Sequence, residues 1–415
     1  MSPQQTARPR PDSRYGVHMS SLDALDLFDT LARPEQLSDP YPFYDWLRAN
    51  RPVHLDPDGT VYLSCYRDSA LLKNPDIRDA AEGDGSSHTL NTYNQSLIKT
   101  VPPQHTDLRR MGAVAFDPDL LKRAGAQVRE TAGHLADQVA EKPAHGDAAD
   151  LHSMYSLPFT QRTAAIVFGI PDEDFDLLAA LPGRMFSALY PKADPATLAD
   201  ADDASRALAA YVEDGLRRRR FTPDSGFDRL ARMQDTASMD DLVRLCWLLW
   251  WASYTSSLAA IDLAVLTLLE HPHTIQALRE RPDAWVKEAL RYRSPHVINS
   301  ANLTTSRPMT IGTVSVPAQT PVRFLISSMN RDPEAFPDAD TFDPDRPAMP
   351  RHLTFGEGIH TCIGAKLARM ELAIALTTLV DRIPDLALAS APVWRPYTTQ
   401  RLVSSLLVTS SPTRN

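Results

Sequence analysis

The chain is short of cysteine, of glycine and of long apolar runs, and each shortage excludes something. Three cysteines in 415 residues (Cys65, Cys246 and Cys362) are too few for a disulfide framework and point to a reducing cytosol. Glycine is outnumbered by proline, 16 to 34, a balance that favours helices with abrupt stops over a glycine-turned β-protein. The longest strongly apolar stretch, residues 245–252, is too short to span a bilayer, and no charged-then-apolar leader opens the chain. Basic residues never run beyond Arg217-Arg218-Arg219-Arg220, which suits the C-terminal end of a helix. With a net charge of −9 this argues against a nucleic-acid groove, and the lack of a span argues against a membrane partner. What remains, 43% hydrophobic and 23% charged residues, is the composition of a folded globular chain.

Residues 1–21, proline-rich with no periodic apolar face, read as a disordered lead. Residues 22–415 show no linker and no repeat, and read as one domain. Strand signals at 52–55 and 60–64 flank the turn Asp56-Pro57-Asp58-Gly59. Apolar residues then recur at helical spacing over 104–116, 118–142, 153–169, 172–190, 203–219 and 239–271. Asp240 and Asp241 open the last of these and Pro272 closes it, giving a helix of about thirty residues that is apolar on most sides and so crosses the core. A helix over 282–292, β-like pieces at 297–304, 309–317 and 320–325, a loop over 332–354, a helix over 363–383 and hairpin-like strands complete the chain. The fold class expected is mainly α with small β-sheets.

The segment with chemistry in it is Phe355-Gly356-Glu357-Gly358-Ile359-His360-Thr361-Cys362-Ile363-Gly364, a glycine-bent loop that presents one thiol at a helix N-terminus. A lone Cys with one His nearby is poor zinc spacing. It is sensible as one axial thiolate on a haem iron, and the plain alternative is a structural cysteine in a turn. The loop resembles that of the cytochrome P450 superfamily, Phe-x-x-Gly-x-His/Arg-x-Cys-x-Gly. Other family motifs follow in order: Glu288-Ala289-Leu290-Arg291, Asn330-Arg331-Asp332-Pro333, Phe342-Asp343-Pro344-Asp345-Arg346 and Gly364-Ala365-Lys366-Leu367-Ala368-Arg369. The resemblance implies a single triangular domain with haem b between the long central helix and the cysteine loop. It also implies Cys362 as iron ligand, and Phe355, Ala252 and Gly364 against the haem. His105 and Arg109, at i,i+4, would join His360 at the propionates. Glu288, Arg291 and Arg346 would form the family's structural charge cluster.

Two departures stand out. The family's central helix carries an acid–alcohol pair that relays protons on the oxygen side of the haem. Counting back from Glu270-His271-Pro272 aligns Thr255 with the acid and Ser256 with the alcohol, so these two become the candidate catalytic residues. No Asp or Glu occurs between Asp241 and Asp262, so the usual relay is missing or rerouted. The second departure is Ser300, which stands where the family offers a propionate-binding Arg. The resemblance further places Tyr93, Gln95, Ile98, Trp251, Ala252, Val297, Asn299, Leu402 and Val403 along the substrate pocket. Of Trp247, Trp250 and Trp251, two are expected in the core and at least one at the pocket.

An enzyme without the carboxylate is expected to oxidise a substrate that supplies its own acidic proton or oxidisable group. The mixed polar and aromatic lining suits an aromatic amino-acid-derived metabolite, such as a cyclic dipeptide or short peptide. The expected reaction is therefore oxidative cyclisation or coupling, and hydroxylation of a natural-product scaffold is the alternative. A non-catalytic haem sensor would need an output module, which the sequence does not offer. The resemblance implies O2, electrons from NAD(P)H through a ferredoxin and its reductase, and a cytoplasmic protein. Arg109, Arg110, Lys122, Arg123, Lys366 and Arg369 are candidates for a basic face towards an acidic ferredoxin.

Overall fold

A computed structural model describes residues 25–79, 87–144, 148–189, 193–299, 303–347, 350–396 and 399–410. The expected lead at 1–21, residues 22–24 and Ser300 lie outside the described residues. The rest is mainly helical with small sheets. The central helix, Met239–Glu270, has its N-terminus capped by Ser238, whose Oγ accepts from the Asp241 N–H at 3.1 Å. Pro272 follows its end and cannot continue it. An 18-residue window of this helix has a mean hydropathy of 1.5, so it is long and apolar enough to cross a bilayer, unlike the shorter run judged from sequence. Here 72% of that window is buried, and the partners are protein.

The helix runs through two apolar clusters, which is why it is apolar on most sides. Its first half, with Leu245, Trp247 and Trp251, packs against helices Gln104–Gly112, Leu157–Phe168 and Pro195–Arg218. Its second half, with Ile261 and Val265, packs against Pro118–Ala144, Pro282–Tyr292 and Ala365–Arg382. A five-stranded sheet orders its strands Val53–Leu55, Val61–Leu63, Pro321–Phe324, Leu303–Thr305 and Ile77–Asp79. Only the second and third of these pair in parallel. A three-stranded sheet joins Ala149–Asp150, Leu407–Ser410 and Leu386–Leu388.

One expected helix does not form. Residues 172–190 break into the short turns Asp172–Asp174, Phe175–Ala179, Leu181–Phe186 and Ser187–Leu189. Pro182 has no N–H for a continuous ladder, and it sits instead in the first turn of a new helix. The segment 153–169 is helical, but its first turn, His152–Ser156, is a wider π turn. Several helices went unread because one to three turns give too little periodicity: Leu27–Leu31, Pro34–Ser38, Tyr41–Asn50 and His88–Asn94.

Candidate active site

Cys362 owes its place to three anchors. Gly356 and Gly358 adopt φ of 68° and 77°, the left-handed region that favours glycine. A side chain at Gly358 would also crowd the Leu72 carbonyl at 3.2 Å. The Cys362 N–H then donates to the Phe355 carbonyl at 2.8 Å, closing the loop. Behind it, the Asn330 side chain accepts from the Leu353 N–H at 2.7 Å and donates to Thr354 Oγ1, which donates on to the Leu290 carbonyl. The loop is thus tied to helix Pro282–Tyr292.

That helix carries the charge cluster. Arg291 makes a bidentate pair with Glu288, Nη2 to Oε1 at 2.6 Å and Nε to Oε2 at 2.8 Å. Its remaining donors reach the carbonyls of Asn330, Ala339 and Thr341. Arg346 Nε adds a third bond to Glu288 at 3.1 Å, and the Asp343 N–H a fourth. Glu288 and Arg291 are buried and Arg346 is partly so, and nearly every donor is matched, which is what makes a buried ion cluster tolerable. The cluster therefore ties the chain together on the side of the cysteine loop.

Cys362 itself is exposed, although Phe355, Ala365 and Leu367 around it are buried. Its thiol is nonetheless crowded by protein, and that desolvation pushes its pKa up. The Gly364 N–H and the charges of Arg109, Arg369 and Arg351 pull the other way and do not win. The helix N-terminus thus lowers the thiol's pKa by less than burial raises it, whereas a coordinated thiol is deprotonated by the metal itself. Gly364 is not forced by its backbone; a Cβ there would sit 3.6 Å from Phe116 and 3.9 Å from Cys362 Sγ.

His105 and His360 meet edge-on with ring centroids 4.8 Å apart. His105 is buried with Nε2 unpartnered, and burial followed by the Arg109 charge holds its pKa below the usual imidazole value. Arg109 is partly buried and forms no ion pair with a carboxylate among the described residues. Helix Gln104–Gly112 reaches both walls of the site. A Cβ on Gly112 would lie 3.2 Å from Ile363, beside Cys362, and 3.4 Å from Leu245 of the central helix.

On the central helix, Ala252 is exposed and Ser256, one turn on, is partly exposed. Both stand in a stretch where Trp251, Thr255 and Ser257 are buried. Ser256 Oγ donates to the Ala252 carbonyl at 2.8 Å. Thr255 is rotated about 100° from Ser256 and points into the core, so only one of the two aligned residues lies on the accessible face. The structure also shows a carboxyl that a search along this helix could not find. Glu371, from helix Ala365–Arg382, accepts from Ser257 Oγ at 2.8 Å, and burial pushes its pKa up to about 8.

The whole chain agrees with this picture. The cytochrome P450 family model matches residues 282–384. Cytochrome P450 BJ-3 of Bradyrhizobium diazoefficiens is 34% identical, with 94% of this chain and 98% of that protein aligned. The chain belongs to the cytochrome P450 superfamily. Cytochrome P450 monooxygenase PikC of Streptomyces venezuelae is 31% identical over 86% of this chain and 88% of its own length. Among solved structures, P450BioI in complex with hexadec-9Z-enoic acid ligated acyl carrier protein superposes with a TM-score of 0.82 at 29% identity, covering 91% of this chain and all of that one. This P450 is accordingly an oxidoreductase of the monooxygenase family, which uses haem-thiolate iron and electrons from redox partners.

The residues aligned to the P450 substrate pocket divide. Tyr93 packs edge-on against Trp251 at 5.2 Å, and Phe186 lies 6.4 Å from the same indole. Ile98 and Leu402 join that cluster. Trp247 and Trp250 spend their N–H groups on Ser205 Oγ and the Leu178 carbonyl, both at 3.1 Å, as core residues do. Trp251 Nε1 is buried with no hydrogen-bond partner among the described residues. Gln95 is exposed at the end of helix His88–Asn94. Val297 and Val403 belong to other apolar clusters. Val297 packs with Phe43, Tyr62 and Leu325, and Val403 with the cluster behind the central helix's second half. Alternation along an extended chain turns Val403 away from the face that Leu402 occupies. Asn299 pairs with the Phe324 backbone, Oδ1 accepting at 2.7 Å, and so shapes the strand rather than offering a free amide.

Proposed function

We propose that this P450 cyclises or couples an aromatic amino-acid-derived substrate, such as a cyclic dipeptide or short peptide, by oxidation in the cytoplasm. The observation that carries the reading is the acid-free face of the central helix, where the partly exposed Ser256 hydroxyl is already committed to the Ala252 carbonyl. A substrate that brings its own acidic N–H or O–H needs no protein carboxylate there. The aromatic wall of Tyr93 and Trp251, with an unpartnered indole N–H, supports a substrate that has both a ring and a carbonyl acceptor.

The residues fit a haem. The exposed Cys362 thiol stands beside buried Phe355 and Ala365, and an orphaned His105 Nε2 lies beside an Arg109 that has no carboxylate partner among the described residues. Such donors want the anionic groups that haem propionates supply. Cys362 would ligate the iron, with Phe355 and Gly364 beside it, and His105, Arg109 and His360 would hold the propionates. Haem bound through a thiolate supplies one-electron and O2 chemistry. Electrons would come from a ferredoxin and its reductase, with the exposed Lys122 and Lys366 as the cations offered to it, since Arg123 is paired with Asp224 and Arg369 lies over Phe355.

Hydroxylation of a natural-product scaffold is the second reading, favoured by the monooxygenase relative. Mass spectrometry of turnovers with a surrogate ferredoxin system separates the two. The panel should include aromatic cyclic dipeptides and linear peptides, free and tethered to a carrier protein, because one structural neighbour holds an acyl carrier protein. Loss of two hydrogens, or a dimer, upholds coupling. Gain of one oxygen atom upholds hydroxylation and overturns the coupling reading.

A further inference from the structure

We infer that Asp202 is a positioning residue that latches the pocket's aromatic wall. Its carboxylate holds the short helix His88–Asn94, which carries Tyr93, down on helix Pro195–Arg218, and thereby fixes Tyr93 against Trp251. The inference rests on the reading that Tyr93 and Trp251 face the substrate.

The attachment is specific. Asp202 Oδ1 accepts from Ser87 Oγ at 2.7 Å and from the Thr89 N–H at 2.8 Å, and Oδ2 accepts from the His88 N–H at 2.9 Å. Ser87 Oγ in turn takes the Leu90 N–H at 3.3 Å. Consecutive donors at the start of one helix are thus satisfied by a side chain more than a hundred residues away in sequence. Burial alone would raise the Asp202 pKa, but the Thr89 N–H, the Ser87 hydroxyl and the His88 N–H pull it below the ordinary carboxylate value. The latch is therefore a charge at neutral pH. Its nearest cation, Arg206 at 3.7 Å, is largely exposed and adds little.

A second tie runs through one hydroxyl. Trp247 Nε1 donates to Ser205 Oγ at 3.1 Å, and Ser205 Oγ meets His88 Nδ1 at 2.8 Å. An indole N–H can only donate, so Ser205 Oγ accepts from Trp247, and burial, followed by the Arg206 charge, lowers the pKa of the His88 ring that Ser205 also meets. Trp247 then packs on Trp251 at 5.1 Å, and Trp251 on Tyr93 at 5.2 Å. The contacts close on themselves: His88, Ser205, Trp247, Trp251, Tyr93 and back along a single helix. Releasing Asp202 loosens the helix at its start and leaves Tyr93 without a fixed register on Trp251. A carboxylate that touches no substrate would in this way set which face of a substrate ring the pocket presents.

The test uses the haem-loaded enzyme. Asp202→Ala should speed amide hydrogen exchange over residues 88–94 by about tenfold or more, the loss expected for charge-assisted bonds. It should raise both the association and dissociation rates of 4-phenylimidazole, read by stopped-flow absorbance, while the reduced carbon-monoxide band stays in place. Asp202→Asn, which keeps the shape, should show the same signs more weakly and covers the case in which the alanine variant does not fold. Unchanged exchange at 88–94 in either folded variant overturns the latch. Tyr93→Ala checks the pocket reading separately. If it leaves 4-phenylimidazole kinetics unchanged while Asp202→Ala still speeds exchange at 88–94, the latch stands and the assignment of Tyr93 to the pocket is what has failed.

Discussion

Ser257 Oγ lies 2.8 Å from Glu371 Oε2, which puts a carboxyl from one helix against another that has none of its own in that stretch. Glu371 is fully buried, its Oε1 has no partner, and its pKa stands at about 8 instead of 4.5. The folded state thus holds a proton that the unfolded chain releases. Stability from this group is complete below about pH 4.5 and is lost as pH rises through about 8. His296 and His352 act in the opposite sense, since burial lowers them to about 4 and about 3; their gain is finished near pH 6.5. Between pH 6.5 and 8, unfolding free energy should fall by roughly 1.5–2 kcal/mol on account of Glu371. Denaturant titrations across that range should show the slope in the wild type and not in Glu371→Gln. Equal slopes would place the carboxyl's proton elsewhere.

The Glu288–Arg291–Arg346 cluster should behave as structure. Removing Arg291 strands the Glu288 carboxylate among buried atoms and frees the carbonyls of Asn330, Ala339 and Thr341, at a cost of roughly 3–5 kcal/mol. Arg291→Ala should yield little soluble, haem-loaded protein. A variant with full haem content and an unchanged melting temperature refutes the assignment.

Ligation by Cys362 has a spectroscopic readout. The reduced carbon-monoxide complex should absorb at the red-shifted position of thiolate ligation, and Cys362→His should move it to the position of a histidine-ligated haem. A histidine-type band in folded wild type would sink the ligand assignment.

How far the sequence speaks depends on whether a feature is local. The cysteine loop, the Glu288–Arg291 spacing and the central helix are each written in one contiguous stretch, so their residues name their own roles. Thr255 and Ser256 are neighbours too, but which of them faces open space depends on helix rotation against partners that the stretch does not contain. Val297 and Val403 raise a related point: a pocket position carried over by alignment says nothing about which way a short extended segment alternates. Glu371 and Asp202 were out of reach altogether. Each acts across a tertiary contact, on Ser257 and on Ser87, His88 and Thr89, and neither has a marker beyond being an acid inside an apolar helix face.

The Ser256 hydroxyl offers a test of how protons are handled. Ser256 Oγ donates to the Ala252 carbonyl, so it can serve a substrate only by giving up that bond. If the substrate brings the proton, Ser256→Ala should keep product formation within about threefold and barely change peroxide release. If Ser256 organises a delivering water, the same substitution should cut turnover on the order of a hundredfold, the lower range for a positioned proton-transfer group. Thr255→Asp separates the neighbouring position. Thr255 is buried, so a carboxyl there would be pushed towards its neutral form and would cost stability without reaching the accessible face. The expected result is a lower melting temperature and no rise in hydroxylated by-product. Strong loss in Ser256→Ala, together with new hydroxylation in Thr255→Asp, would show that an acid–alcohol relay operates on this helix after all, and the coupling reading would lose the observation that carries it.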